Sequence, residues 1–564
     1  MPPSVPHNLN QFVVQQDYEQ YTEVDQAVWR FVLLQTYQRL QHTAHAAYSD
    51  GLAQTGISVE RIPHIAQMSE CLERFGWRAV CVDGFIPPRA FQEFQAASIL
   101  PIAADMRTLA HLVYTPAPDI IHEAAGHAPI LTDARYAAYL RAIGEVGKKA
   151  FSSPEDALVD AAIFELSEVK ERRSPQPALL ARAEARLEQA LTRVGVTSEA
   201  SRVSRLYWWT AEYGLVGTPS DYRLYGAGLL SSLWESHSCH DHAVKKLPLS
   251  AACVLQAYDI TRPQPQLFVA RDFDHLFDVL GEVDASLAHR AGGDRALDAA
   301  LESEALATLH FGADRFATGQ LRAVSGDARG GLLTFGGPVG LGSGGQQQAH
   351  LDARPSGYCL PFGPFEGTTA GATGKRISLR FAEGTHVEGV LAGTTLDAAG
   401  RPLLVRLLDY RLTSERAGVS DRGAEYLLLL VPELLTAHAG ASDAAFFPAS
   451  KPSSKRVPAP QELQQRERAL LALYERAITA FREHLGSAAV PAFATIHAEL
   501  TRSFPDEWLL RWNLLECLCK LGEQHADHAE FAHTLQAELV ALELKFAHKE
   551  PIASGLRYLS LLAA

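Results

Sequence analysis

The chain has 564 residues, of which 47% are apolar and 21% charged, and its formal net charge is −14. This length predicts about three or four domains, and the apolar fraction is typical of globular proteins. The acidic balance argues against nucleic acid and anionic membranes as partners. Seven sparse, irregularly spaced cysteines favour reduced thiols in a cytoplasmic protein over a disulfide framework.

No targeting or membrane segment is expected. The start, residues 1–7, has neither a basic nor an apolar segment of the kind that opens a secretory signal. The most apolar run, residues 426–431, ends at Pro432 and Glu433. It is far shorter than the roughly 20 residues that a membrane-spanning helix requires.

The first 290 residues are predicted to be mainly helical. Apolar residues recur at helical spacing from Val24 to Tyr48, and a further helical stretch is expected to begin near Arg89, after Pro87 and Pro88. Leucines and alanines three and four apart predict an inserted helical pair at about 150–200.

The composition changes near residue 291. From about 320 to 450, glycine-rich turns separate segments of alternating polarity, among them 377–381 and 403–412, which predicts a small antiparallel β domain. A linker is expected at 450–455, and an apolar stripe predicts a return to helix after it. The predicted domains are therefore 1–290, 291–455, which is β-rich, and 456–564, which is α-helical.

His122 and His127 stand five residues apart with Glu123 between them. On a straight α-helix that spacing is about 140° around the axis and ~7.5 Å along it. The two imidazoles of zinc peptidases are spaced by four and share one face. A common metal therefore requires a helix that starts or bends here, and the alternative is a pair of buried, hydrogen-bonded histidines.

A third ligand has to come from elsewhere in the chain, and Glu212 is the best candidate. It lies in an aromatic, otherwise apolar segment, residues 206–215. A lone buried carboxylate is costly unless it is paired or bound to a metal. A salt bridge to a buried arginine is the alternative.

Three motifs, at 114–129, 207–215 and 225–232, occur in an order that is typical of one family. On these motifs, the region from about Tyr21 to Leu287 resembles the pterin-dependent aromatic amino acid hydroxylases, which act on phenylalanine, tyrosine or tryptophan. The form of residues 100–107, with the His-Glu-Ala-Ala-Gly-His sequence, is similar to the longer bacterial branch, usually described as phenylalanine 4-hydroxylases.

The resemblance implies a mainly α catalytic domain of this type in residues 1–290. It implies Fe(II), with tetrahydrobiopterin or a related tetrahydropterin and O2 as cosubstrates. The expected reaction is ring hydroxylation of a free aromatic amino acid, with phenylalanine favoured. The alternatives are a tryptophan or tyrosine hydroxylase of the same family, and a zinc-dependent hydrolase that uses His122, His127 and Glu123.

The resemblance also implies roles for single residues. It makes His122, His127 and Glu212 the catalytic iron ligands. The substrate residues that it implies are Arg107, Thr115, Pro118, Trp208, Gly228 and Ser231. The pterin residues that it implies are Gly84, Phe85, Ile86, Phe91, Glu123 and Tyr207. An arginine suits a carboxylate, and an aromatic ring suits the flat pterin.

One position departs from the family. Where animal members carry a histidine near the pterin, this chain has Pro101. A hydrogen bond from that side chain is therefore expected to be absent.

Overall fold

The structure is a computed structural model. It describes residues 5–82, 84, 86–112, 118–170, 177–260, 262–370, 373–442, 446–447, 465–483, 489–521, 526–545 and 550–562. Phe85, Thr115 and the predicted linker at 450–455 lie outside these residues. Every helix in the described ranges is too short or too polar to cross a bilayer.

The first 302 residues are mainly helical, as their periodicity predicts. The α-helices are α1 (Glu23–Thr43), α2 (Ala47–Gln54), α3 (Ile65–Leu72), α4 (Pro88–Ala96), α5 (Ala134–Gly147), α6 (Pro154–Lys170), α7 (Pro177–Arg193), α8 (Glu199–Tyr207), α9 (Ala227–Ser231), α10 (Glu235–Ser238), α11 (Phe273–Ala285), α12 (Ala288–Ala291) and α13 (Gly293–Glu302). Two π-helices, Ile121–His127 and Trp208–Glu212, interrupt this series. Short 3-10 helices span His7–Phe12, Tyr18–Gln20, Glu73–Phe75, Leu109–His111, Ala128–Thr132 and Ala251–Leu255.

Two small sheets lie among these helices. The strands are β1 (Arg78–Val82), β2 (Ile99–Ala103), β3 (Leu215–Thr218), β4 (Asp221–Leu224), β5 (Lys245–Pro248) and β6 (Gln266–Ala270). Strands β1 and β2 form a parallel pair, and the other four follow the order β4-β3-β6-β5.

Helix α1 is shorter than its sequence pattern predicts. It begins with a capping box, in which Thr22 and Asp25 each accept a backbone N–H from the other. It ends at Thr43, because Ala44 is extended and the His45 N–H donates to the Leu224 carbonyl at 2.8 Å. The single helix predicted from Val24 to Tyr48 is therefore two helices.

Residues 306–439 form a two-sheet β region. Its strands are β7 (Leu306–Phe311), β8 (Arg315–Asp327), β9 (Gly330–Ser343), β10 (Gln346–Leu351), β11 (Tyr358–Phe362), β12 (Phe365–Glu366), β13 (Arg376–Phe381), β14 (Thr385–Leu396), β15 (Pro402–Ser414), β16 (Val419–Leu429) and β17 (Leu434–Ala439), with a 3-10 turn at Gly312–Asp314. The sheet orders are β10-β9-β8-β7-β17, with β11 also on β9, and β12-β13-β14-β15-β16. All pairings are antiparallel, and buried side chains of both sheets form one core.

The alternation in β13 and the strand predicted at 403–412 match this region, but strands begin at 306 rather than about 320. The predicted β-rich segment also opens with helix α13, which packs on β8 and β17. The domain division at 290 and 455 stays a prediction.

Five helices end the described chain, and the first, third and fifth of them pack on α1. They are α14 (Gln465–Glu483), α15 (Val490–Ser503), α16 (Leu509–Leu521), α17 (Ala526–Lys545) and α18 (Glu550–Leu562). The ring of Phe31 meets those of Trp508 and Trp512 edge to face, with centroids 5.0 and 4.7 Å away. Beside them, Arg30 Nη2 lies 2.6 Å from the fully buried carboxylate of Glu516. The first and last helices therefore share one core.

We expect Phe31→Ala to lower the free energy of unfolding by about 3–5 kcal/mol, because a fully buried ring is removed and a cavity is left. Chemical denaturation followed by tryptophan fluorescence measures this. The matched control is Phe365→Ala, whose ring is 38% exposed on β12. Equal losses in the two variants would contradict the shared core.

Candidate metal centre

Two π-helices carry the three predicted ligands. Ile121–His127 contains His122 and His127, and Trp208–Glu212 ends with Glu212. Backbone bonds in a π-helix join residues five apart, which places them one above the other. The five-residue spacing that would separate two side chains on an α-helix thus puts both imidazoles on one side, with ring centroids 5.2 Å apart.

The Glu212 carboxylate lies between the two imidazoles. Its Oε2 is 3.1 Å from His122 Nε2, and its Oε1 is 3.2 Å from His127 Nε2. Ligand atoms bonded to one metal at about 2.1 Å and at right angles are about 3 Å apart, so the three groups have the spacing of one coordination face.

His127 supports the same conclusion. Its ring is fully buried, and among the described residues neither of its nitrogens makes a hydrogen bond. The Glu212 oxygen is near Nε2 but lacks hydrogen-bond geometry. An unpaired buried nitrogen is costly, and a metal ion at this point removes the cost. The residues therefore fit a divalent transition metal.

Glu123 is the other acid within reach of these histidines. Donor atoms of His122, Glu123 and His127 all lie within 4.8 Å of one another. However, the Glu123 carboxylate is 3.9 Å from His127 Nε2, whereas Glu212 approaches both imidazoles more closely. Glu212 is thus the better third ligand, and Glu123 lies beside the centre.

The two glutamates have opposite pKa shifts. Burial raises the pKa of Glu212, but the facing His122 and His127 outweigh this and hold it below the usual range. Burial raises the pKa of Glu123 to about 8; His127 opposes this rise, and Glu212 adds to it. Glu212 is therefore held as an anion, whereas burial disfavours the charged form of Glu123.

Ser231 sets the tautomer of His122. Its Oγ is 3.2 Å from His122 Nδ1, and its hydroxyl donates to the Ala227 carbonyl at 2.7 Å. Because the hydroxyl has only one proton, its oxygen accepts from His122 Nδ1–H. This leaves the lone pair on Nε2, which is the form that binds a metal.

Two glycines let α9 approach both π-helices. A Cβ on Gly126 would lie 2.7 Å from the Ala227 carbonyl oxygen, and a Cβ on Gly228 would lie 2.9 Å from the Tyr213 ring. Real Cβ atoms do not tolerate these distances, so only glycine permits the approach that brings Ser231 to His122.

Arg107 is held by an acid that the sequence interpretation missed. Arg107 Nε and Nη2 donate to the two oxygens of Asp119 at 2.7 and 2.8 Å, and both side chains are buried. Burial raises the pKa of Asp119, but Arg107 outweighs it and leaves the pKa below its usual range. Asp119 also accepts the His122 backbone N–H at 3.1 Å. The sequence carried a signal for this role, because Asp119 is an acid three residues before His122, at the start of a helical segment.

The predicted pterin residues line the other side of His127. The Phe91 and Tyr207 rings meet edge to face with centroids 5.8 Å apart, and the Tyr207 ring is 6.4 Å from that of His127. Gln95, which the sequence interpretation did not include, donates to the Tyr207 hydroxyl at 2.6 Å. Glu123 Oε2 is buried and makes no hydrogen bond in the described structure. Aromatic walls with an unpaired acid fit a flat bicycle that has hydrogen-bonding edges.

The remaining residues of the predicted pterin and substrate sites lie in different surroundings. Gly84 is buried with a φ of 60°, and Ile86 is buried in a small apolar cluster with Phe12 and Phe94. Pro118 is exposed. Phe85 and Thr115 lie outside the described residues.

Trp208 stacks on two tyrosines that the sequence interpretation left out of the site. Its ring centroid is 4.2 Å from that of Tyr258 and 4.7 Å from that of Tyr213. The Tyr213 hydroxyl donates to the buried Glu235 at 2.8 Å. Trp208, which was predicted to contact the substrate, is therefore held in place by aromatic contacts.

A family model described as biopterin-dependent aromatic amino acid hydroxylase matches residues 14–161 and 178–290. Both matched segments lie within residues 14–290, which are called the hydroxylase region below because of their similarity to this family. The match to this hydroxylase region omits only the junction of α6 and α7, residues 162–177.

The hydroxylase region is similar to the phenylalanine-4-hydroxylase of Pseudomonas aeruginosa, with 29% identity over 273 residues, which is 48% of this chain and 87% of the relative. The enzyme of the same name from Chromobacterium violaceum is 28% identical over 275 residues, 48% and 78% of the two chains. A crystal structure of the latter protein with bound iron(III) and oxidised cofactor 7,8-dihydrobiopterin has a TM-score of 0.39 and 26% identity, and it covers 49% of this chain and 86% of that one.

We expect Gly126→Ala to weaken Fe(II) binding by the hydroxylase region, because the added methyl pushes α9 and Ser231 away from His122. Competition titration with a chelator of known affinity measures this. The control is Gly281→Ala on α11, where nothing lies within 4 Å of the added Cβ. The control should keep its metal affinity and gain about 0.5–1 kcal/mol of stability. Identical metal affinities in the two variants would refute the close-approach argument.

We expect Ser231→Ala to weaken Fe(II) binding by about 10–100-fold, because the acceptor that orients His122 is lost. The neighbouring Ser232→Ala is the control, since that hydroxyl accepts the Glu235 N–H instead. The same titration applies. A Ser231→Ala protein that binds iron as tightly as the Ser232→Ala protein would show that the tautomer is set by another group.

Proposed function

We propose that this protein is a tetrahydropterin-dependent monooxygenase that hydroxylates the ring of a free aromatic amino acid, phenylalanine to tyrosine, with non-haem Fe(II) and O2. The observation that carries the proposal is the buried Glu212 carboxylate, within 3.1 and 3.2 Å of two imidazole nitrogens. The family description and the names of the bacterial relatives support the cofactor and the substrate.

His122, His127 and Glu212 would hold the iron. Bound iron and reduced pterin together supply the activation of dioxygen, which no side chain of the chain can provide. The groups of the chain position the reactants. Ser231 fixes the His122 ring, and the ionised Glu212 keeps one negative charge at the centre.

Arg107 would bind the substrate carboxylate. Asp119 accepts from Nε and Nη2, and Nη1 lies 3.5 Å from the Ser231 carbonyl oxygen, so one N–H on each of Nη1 and Nη2 remains for a second carboxylate. The Arg107–Asp119 pair also contacts the His122 backbone. A substrate held there is thus fixed relative to a metal ligand, which is the positioning that lowers the entropic part of a barrier. Thr115, Pro118, Trp208, Gly228 and Ser231 complete the proposed substrate site.

The pterin would lie against Phe91 and Tyr207. Glu123, whose buried Oε2 makes no hydrogen bond in the described structure, would pair with its polar edge. The backbone around Gly84, Phe85 and Ile86 would contact the same ligand. The chain's aromatic walls would also exclude water from this side of the centre.

Phenylalanine is preferred over tyrosine and tryptophan because the similar bacterial proteins carry that name. An apolar slot discriminates weakly against one added hydroxyl, so product analysis has to decide between the rings. A zinc hydrolase built on Glu123 is disfavoured because Glu212, not Glu123, approaches both histidines.

We expect the anaerobically purified, iron-reconstituted protein to convert phenylalanine to tyrosine only when tetrahydropterin is added. Glu212→Ala should lose iron and activity together, since a ligand and its charge are removed. Glu282→Ala, an exposed acid on α11, should keep both. Iron content is measured by absorption spectroscopy and products by mass spectrometry. The proposal would be overturned if the protein acted as a hydrolase without pterin, or if Glu212→Ala were fully active.

A further inference from the structure

The last residue of β17 contacts two helices of the hydroxylase region at once. The Ala439 N–H donates to the Lys149 carbonyl, just beyond α5, at 3.1 Å. The Ala439 carbonyl accepts from Arg89 Nη2, in the first turn of α4, at 3.0 Å. One residue of the β region therefore joins the beginning of α4 to the end of α5.

Arg89 is fixed by further contacts. Its Nε donates to Glu93 Oε1, one turn along α4, at 2.9 Å, and Glu93 Oε2 accepts from Asn8 Nδ2 at 2.6 Å. The guanidinium lies directly on the backbone of Gly440, where a Cβ would overlap it. Gly440 has a φ of +83°, so its conformation also favours glycine.

Helix α4 carries Phe91, two residues after Arg89, and Gln95, which holds the Tyr207 hydroxyl. On its other side α4 is in close contact with α5, because a Cβ on Gly144 would lie 2.6 Å from the Ala96 nitrogen. A nine-residue helix is not stable alone, so tertiary contacts decide where it lies. The position of α4 in turn sets the distance between the Phe91 and Tyr207 rings.

We propose that the Arg89–Gly440 contact makes the β region a support of the pterin site, with Arg89 as a positioning residue that holds α4 and thereby Phe91. The identity of the ligand rests on the proposed function. Residues 306–440 are then needed for full pterin affinity and not for iron binding, because the predicted iron ligands lie on other helices.

The test is Gly440→Ala in the full chain. We expect the Kd for 7,8-dihydrobiopterin, measured by calorimetry on metal-free protein, to rise about 5- to 30-fold, the factor that corresponds to a loss of about 1–2 kcal/mol. The Fe(II) affinity should not change, and in turnover the KM for pterin should rise more than the KM for the amino acid.

Gly337→Ala is the matched control. Gly337 lies in β9 of the same region with a φ of +70°, and nothing lies within 4 Å of a Cβ there. It therefore carries the same kind of backbone strain without the collision. Arg89→Lys should be intermediate, since one ammonium cannot reproduce the guanidinium's planar bridge. Arg89→Ala combined with Gly440→Ala should be less than additive.

Hydrogen exchange gives a readout that needs no ligand. Amides of α4 should exchange faster in Gly440→Ala than in Gly337→Ala, while those of α1 and α11 stay protected. A pterin Kd equal in the two glycine variants overturns the inference, and so does loss of protection throughout the hydroxylase region. If the unmodified protein binds no pterin, the proposed function is wrong. If hydrogen exchange in α4 is the same in Gly440→Ala and Gly337→Ala, Arg89 does not position α4.

Discussion

The structure of the candidate site depends on one buried carboxylate between two imidazoles. Burial alone would push Glu212 towards its neutral form, and only the facing histidines reverse this. Such a cluster is costly unless a cation completes it, since His127 is fully buried and makes no hydrogen bond in the described structure. The surrounding residues are explained by the need to hold these three side chains around one point.

The backbone geometry of the two π-helices and α9 brings these three side chains together. Each segment that carries a predicted metal ligand is a π-helix, and α9 lies against both through contacts that only Gly126 and Gly228 allow. Ser231 then reaches His122, and Asp119 joins the same histidine to Arg107. The orientation of His122 as a predicted metal ligand and the proposed binding of a substrate carboxylate therefore depend on one hydrogen-bonded unit.

Local patterns in the sequence predicted the helical first half, the inserted pair α6 and α7, and the strand alternation of β13. The family resemblance supplied the predicted ligand set, because spacing alone favoured two buried, hydrogen-bonded histidines over a metal site. A π-helix cannot be derived from periodicity that assumes 3.6 residues per turn, so the geometry of His122 and His127 was not predictable in detail.

Contacts between residues that are distant in the sequence were also not predicted. Asp119 is close to His122 in sequence, but Tyr258 and Gln95 reach the site from distant elements. The end of α1 is likewise set by Leu224, which no local pattern around Thr43 reveals. The domain division at 290 and 455 rests on composition, whereas the core of α1 extends to the last helices.

That shared core has a consequence for biosynthesis. Arg30 and Glu516 are 486 residues apart in the sequence. The contacts of Phe31 with Trp508 and Trp512 span a similar separation. At about 5–20 residues per second, a ribosome needs roughly 25–100 s between making the two sides of this interface. During that interval the side of α1 that carries Arg30 and Phe31 lacks the partners that cover it in the folded chain.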